Sequence, residues 1–103
     1  MKKLLSALLF AASTASAQVT GNTLLDNIES SEYMLKSHAL GYITGIFQFT
    51  RGTAHCSPDG VTFGQALDVV HNYLKIEPKY RHLDAYVIVI AVFGATWPCK
   101  GQI

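Results

Sequence analysis

Apolar positions recur along this chain with the three-and-four spacing of helices in three places, and as almost unbroken runs in two others. Leu24, Leu25 and Ile28 suit one short amphipathic helix after Gly21-Asn22, interrupted at Ser30-Ser31. Ser31 is placed to cap a longer second helix, in which Leu35, Ala39, Tyr42, Ile43, Ile46 and Phe47 share a side, and Gly52 ends it. Gly41 and Gly45 stand one turn apart inside that helix. Two glycines lower helix propensity, so the spacing predicts close approach by another helix. In a membrane span it would suggest dimerisation, but Lys36, His38, Gln48 and Arg51 exclude a span here.

The third helix has the most complete start signals. Pro58-Asp59-Gly60 reads as a turn and Thr62 as an N-cap. Thr62 to Gln65 fits a capping box, with Val61 and Ala66 as its hydrophobic staple. Phe63, Ala66, Leu67, Val70, Tyr73 and Leu74 then form one apolar stripe, while Gln65, Asp68, Asn72 and Lys75 point away. Pro78 bounds this arm, because the residue before a proline avoids the helical region. The run Val87 to Phe93 suits a buried strand as well as a buried helix. Length favours helix: the segment from Asp84 to Trp97 is longer than most strands and has no strand-like partner. It is expected to be a central helix, apolar all round because its neighbours cover it. The fold class is therefore all-α, a small disulfide-clipped bundle of about four helices.

The other apolar run, Leu4 to Ala12, follows Lys2 and Lys3 and precedes Ala15-Ser16-Ala17, a small-residue cleavage site. Residues 1–17 read as a signal peptide, too short for the roughly 20 residues of a bilayer span. Cleavage before Gln18 leaves no thiol to carry a lipid, and residues 18–103 form one domain of 86 residues, 103 less 17. An exported, periplasmic protein with no membrane attachment after cleavage is expected. A core of that size is marginal without a staple.

Charge and cysteine then narrow the function. Removing Lys2 and Lys3 from the 8 basic residues leaves 6 against 7 acidic ones, a net charge of −1. Such a chain has no electrostatic footprint for nucleic acid or anionic membrane. A protein partner, a small ligand or catalysis remain. The only two cysteines, Cys56 and Cys99, flank the last two predicted helices, and export makes a disulfide between them the natural staple. By limiting the unfolded ensemble it stabilises the fold by about 4 kcal/mol. Cys99 with His82 could suggest a nucleophile and base, but a nucleophile must be a free thiolate, so no catalytic residues are expected. His55 beside Cys56 lacks zinc-ligand spacing, and His38, His71 and His82 stand singly, so neither metal nor cofactor is expected.

The string Cys56-x-Pro58-x-Gly60-Val61-Thr62-x-Gly64-Gln65 resembles the Rap/Tai family of type VI secretion immunity proteins. The resemblance continues through Val69-Val70, Tyr73-Leu74, Pro78, Arg81-His82-Leu83 and Pro98-Cys99, and includes Leu40-Gly41-Tyr42-Ile43-x-Gly45. It implies an all-helical, periplasmic, disulfide-bonded protein, commonly a homodimer. It also implies that the protein, itself no enzyme, inhibits a cell-wall amidase by blocking a Cys/His cleft. The resemblance also implies, for many relatives, a further cysteine pair at the positions of Ile28 and Ala39, and both are replaced here. The other functional class is a small periplasmic binding or chaperone-like module without a dedicated effector; only seven acidic residues make acid-driven unfolding a poor basis for it.

Blocking a cleft calls for a protruding, preorganised element. Two stretches qualify: the Ser57-Pro58-Asp59-Gly60 turn, and the Lys79-Tyr80-Arg81-His82 connection, where Tyr80 and Arg81 are hot-spot residue types. The second is favoured, since the first is already explained as a turn feeding a capped helix. Arg81-His82 also has a simpler reading, that of fixing the turn between the two arms.

Overall fold

The computed structural model describes residues 18–100, so the leader expected at 1–17 lies outside the described residues. Four α-helices follow one another: α1 (Gly21–Glu29), α2 (Tyr33–Thr50), α3 (Phe63–Ile76) and α4 (Ala85–Thr96), with a 3-10 turn at Pro78–Tyr80 between the last two. Among the described residues there is no strand, only two isolated bridges. The β-branched run Val87 to Phe93 is helical throughout. Tertiary burial outweighs its modest helix propensity, because Ile88, Val89, Val92 and Phe93 all enter the core.

Each helix packs against the other three. Leu24 of α1, Ile43 of α2, Val70 and Leu74 of α3, and Val89 and Phe93 of α4 meet with no solvent exposure. Removing each of these groups from water stabilises the fold by about 1.5 to 3 kcal/mol. The capping box at the head of α3 is complete: the Gln65 N–H donates to Thr62 Oγ1 at 3.0 Å, and the Thr62 N–H donates to Gln65 Oε1 at 2.8 Å. Phe63, expected on the apolar stripe, is instead half exposed and meets Phe47 edge to face.

Three expectations are corrected. The N-cap of α2 is Glu32, whose carboxylate makes no capping bond; Ser30 Oγ accepts the Glu32 N–H at 3.0 Å, and Ser31 stays outside. The glycines of α2 admit no neighbouring helix: both are exposed, and a Cβ at Gly41 or Gly45 would meet nothing within 4 Å. Close approach occurs at Gly21, where a Cβ would lie 2.6 Å from Ile88 Cδ1 and 2.9 Å from the Arg81 carbonyl oxygen. Finally, α4 is apolar on every side but covered on only one, leaving Tyr86, Val87, Ala91 and Ala95 exposed. The three other helices bury one long face of α4, and no further helix among the described residues closes the other.

No described helix is long and apolar enough to cross a membrane. Ile28 and Ala39, the positions at which the resemblance implies a second cysteine pair, line the same cavity.

Candidate functional site

The two candidate stretches lie at opposite ends of α3, whose 14 residues span about 21 Å. The structure therefore does not bring Asp59 together with Lys79, Tyr80, Arg81 and His82.

At the first end, Cys56 and Cys99 are joined, with Cα atoms 4.8 Å apart, and the Cys56 N–H donates to the Trp97 carbonyl at 2.8 Å. The loop leaving α2 turns at Gly52, whose φ of 87° suits glycine, and its N–H donates to the His55 carbonyl at 2.7 Å. His55 is wholly buried among Phe47, Phe93 and Trp97, with ring centroids 4.8, 5.3 and 6.2 Å away. Its tautomer follows from its partners. The Phe47 carbonyl can only accept, so Nε2–H donates to it at 2.9 Å, while Nδ1 accepts the Ser57 N–H at 3.3 Å. Arg51 reaches across the turn, donating from Nη2 to Asp59 Oδ1 at 2.6 Å and from Nε to the Ser57 carbonyl at 3.3 Å. Asp59 is fully exposed, so this pair orients the turn more than it stabilises the fold.

At the second end, the Arg81 guanidinium donates to the last carbonyls of α3, Leu74 at 2.5 Å and Lys75 at 3.0 Å. Those carbonyls have no helical partner of their own, so Arg81 caps the C-terminus of α3 with its guanidinium. Main-chain bonds fix the rest: the Gly21 N–H donates to the Leu83 carbonyl at 2.9 Å, the Asn22 N–H to that of Arg81 at 2.8 Å, and the Ala85 N–H to that of Val19 at 2.7 Å. What faces solvent is Lys79, Tyr80 and His82, with Lys79 Nζ 4.9 Å above the Tyr80 ring centre.

Cys99 is bonded to Cys56 and so holds no thiol to pair with His82. Among the described residues, no three His, Cys, Asp or Glu residues converge as metal ligands. His71, read as a lone surface residue, meets Glu29 at 2.9 Å and ties α3 to α1.

Two apolar surfaces escaped the sequence reading. On the outer side of α2, Met34 and Phe49, 80 and 88 % exposed, stand at either end of the open Gly41/Gly45 strip. At its flank, burial first raises the Tyr42 hydroxyl above the usual tyrosine value; the Tyr86 main chain opposes this and the nearby Asp84 carboxylate adds to it. Between α3 and α4, Val69, Tyr73, Ile76, Ala91 and Ala95 line a groove of about 450 Å³. The excess of apolar residues around α4 was the only signal for it.

A family model for Rap1a immunity proteins matches residues 20–99, from the N-cap of α1 to the second cysteine of the disulfide. This protein belongs to the Rap1a immunity protein family. Membership suggests an immunity function, a non-enzymatic inhibitor that binds an effector partner. All four helices and both clipped ends fall within the match. Among curated proteins, none matches the sequence.

Proposed function

We propose that this Rap1a family member is a periplasmic immunity protein that binds a peptidoglycan amidase effector of type VI secretion and blocks its Cys/His cleft. The family match across the whole helical bundle is the observation that carries this reading. Residues 1–17 serve as its cleavable export signal and residues 18–103 as the inhibitory domain. Lys79, Tyr80 and His82 contact the effector from the connection between α3 and α4, with Arg81 holding that connection in place. Asp59 belongs to a second, separate contact at the disulfide end. Both ends are held before any partner arrives, so little ordering entropy is lost on binding. The active unit is a homodimer, for which the uncovered side of α4 supplies an apolar, uncharged face of the kind permanent interfaces use.

The test pairs the protein with a candidate amidase from its own locus and measures peptidoglycan cleavage and affinity. The parent abolishes cleavage; Tyr80→Ala and Asp59→Ala weaken binding while the far-UV circular dichroism stays helical. A parent that leaves cleavage untouched removes the immunity reading, and two folded variants that bind as tightly as the parent remove the assigned surfaces.

The exposed apolar faces at Phe49 and at the α3/α4 groove support a second reading, a small periplasmic binding or chaperone-like module. Protection of several unrelated unfolded proteins from aggregation, without inhibition of the amidase, would favour it.

A further inference from the structure

The loop after α2 and the tail after α4 meet around a single covalent bond. Besides that bond, the Cys56 N–H donates to the Trp97 carbonyl at 2.8 Å, and the Trp97 ring covers Phe47, His55 and Phe93 at centroid distances of 5.7, 6.2 and 6.0 Å. The hydrogen bonds of the His55 ring go only to the main chain of Phe47 and Ser57, groups that water can replace. Ser57 Oγ, also buried, meets no hydrogen-bond partner among the described residues. The helical core is built differently. Leu24, Ile43, Val70, Leu74, Ile88 and Val89 are buried on the four helices, in one cluster with Phe47 and Phe93, and α3 starts on its own capping box.

From this contrast we propose that the Cys56–Cys99 bond is a local redox latch. Closed, it holds Trp97 over buried His55; opened, it frees residues 97–100 and the loop 52–60 while the four helices stay packed. The opening step needs a dithiol reductant. One thiolate attacks a sulfur of the bond to give a mixed disulfide, and the second thiolate then displaces it. Two electrons and the two protons of the dithiol pass to Cys56 and Cys99, which become thiols, and the reductant leaves as a cyclic disulfide. A freed tail gains conformational entropy, and the loop loses its covalent tie to the end of α4. What then remains to orient Asp59 is its exposed contact with Arg51, a weak restraint, together with the loop's own hydrogen bonds from Arg51 Nε to the Ser57 carbonyl and from the Ser57 N–H to His55 Nδ1, both 3.3 Å long. The loop that carries Asp59 is thus fastened to the end of α4 only in oxidised protein, whichever partner the protein binds.

Trp97 is the only tryptophan in the sequence, so its fluorescence reads the latch alone. The purified protein is compared in the oxidised form, after dithiothreitol reduction, and as a Cys56→Ser/Cys99→Ser double variant, all at low temperature. Reduction is expected to shift Trp97 emission to longer wavelength and to raise its quenching by acrylamide. Amides 53–60 should lose hydrogen-exchange protection, while the helical circular dichroism and the protection of 66–74 and 88–93 persist. The double variant should match the reduced protein without reductant. Unchanged Trp97 emission and quenching in fully reduced protein would show that the bond holds nothing closed. Loss of helix together with the Trp97 signal would make it a global staple. Either result overturns the latch.

Discussion

The two ends of the α3/α4 hairpin are closed by different physics. At one end a covalent bond joins residues 43 apart in sequence, and much of its effect falls on the unfolded state, whose freedom it limits. At the other, Arg81, Gly21 and three main-chain hydrogen bonds close the structure by contacts that exist only in the folded state. A covalent end tolerates poor local packing. A non-covalent end has to fit sterically, as Gly21 does.

Four changes test that contrast, taken from the largest expected effect. Cys56→Ser with Cys99→Ser should remove about 4 kcal/mol of stability. For a domain of this size that is a fall in Tm of roughly 15 to 30 °C by calorimetry. Reducing agent should then leave the variant's Tm unchanged while lowering the parent's. Next, Gly21→Ala forces a Cβ to within 2.6 Å of Ile88 Cδ1 and 2.9 Å of the Arg81 carbonyl. The Ile88 terminus can move but the carbonyl cannot, so a loss of about 1 to 3 kcal/mol in urea unfolding is expected. A third change, Arg81→Ala, leaves two carbonyls at the end of α3 to water and should lose about 1 to 2 kcal/mol, discounted for partial exposure. Arg81→Lys should not restore it, since an ammonium cannot present the planar fork that reaches two carbonyls at once. The smallest effect has the opposite sign. Gly41→Ala and Gly45→Ala touch neither end and meet no neighbour, so each should stabilise by about 0.5 to 1 kcal/mol. Destabilisation by either would mean that α2 packs against something along this strip.

The parts of this contrast visible in the sequence are the local ones. The capping box at Thr62 and Gln65 was legible because its partners are three residues apart, and the cysteine pairing because there is only one way to pair two cysteines. Helicity of Val87 to Phe93 followed from length and the lack of a partner strand. What stayed hidden depends on residues distant in sequence. No periodicity shows that Gly21 abuts Ile88, or that the Arg81 guanidinium turns back onto Leu74 and Lys75. His55 gave no hint of its burial, since a polar residue after Gly52-Thr53-Ala54 reads as loop. The Gly41/Gly45 spacing misled because a glycine pair describes a groove without saying whether the groove is filled within the fold. Of the candidate site, the Pro58 and Pro78 turns were readable; that Arg81 has a capping role while Tyr80 remains 40 % exposed was not.

The bare strip on α2 separates two kinds of selection. Since no atom lies within 4 Å of a Cβ at 41 or 45, a small side group there should not lower the amount of folded protein in a cell. Most positions confound abundance with association, because what weakens a contact also weakens the fold. Here the two come apart. In a library scored once for protein level and once for survival against an effector, a substitution at 41 or 45 that keeps level but loses protection would report directly on a docked partner.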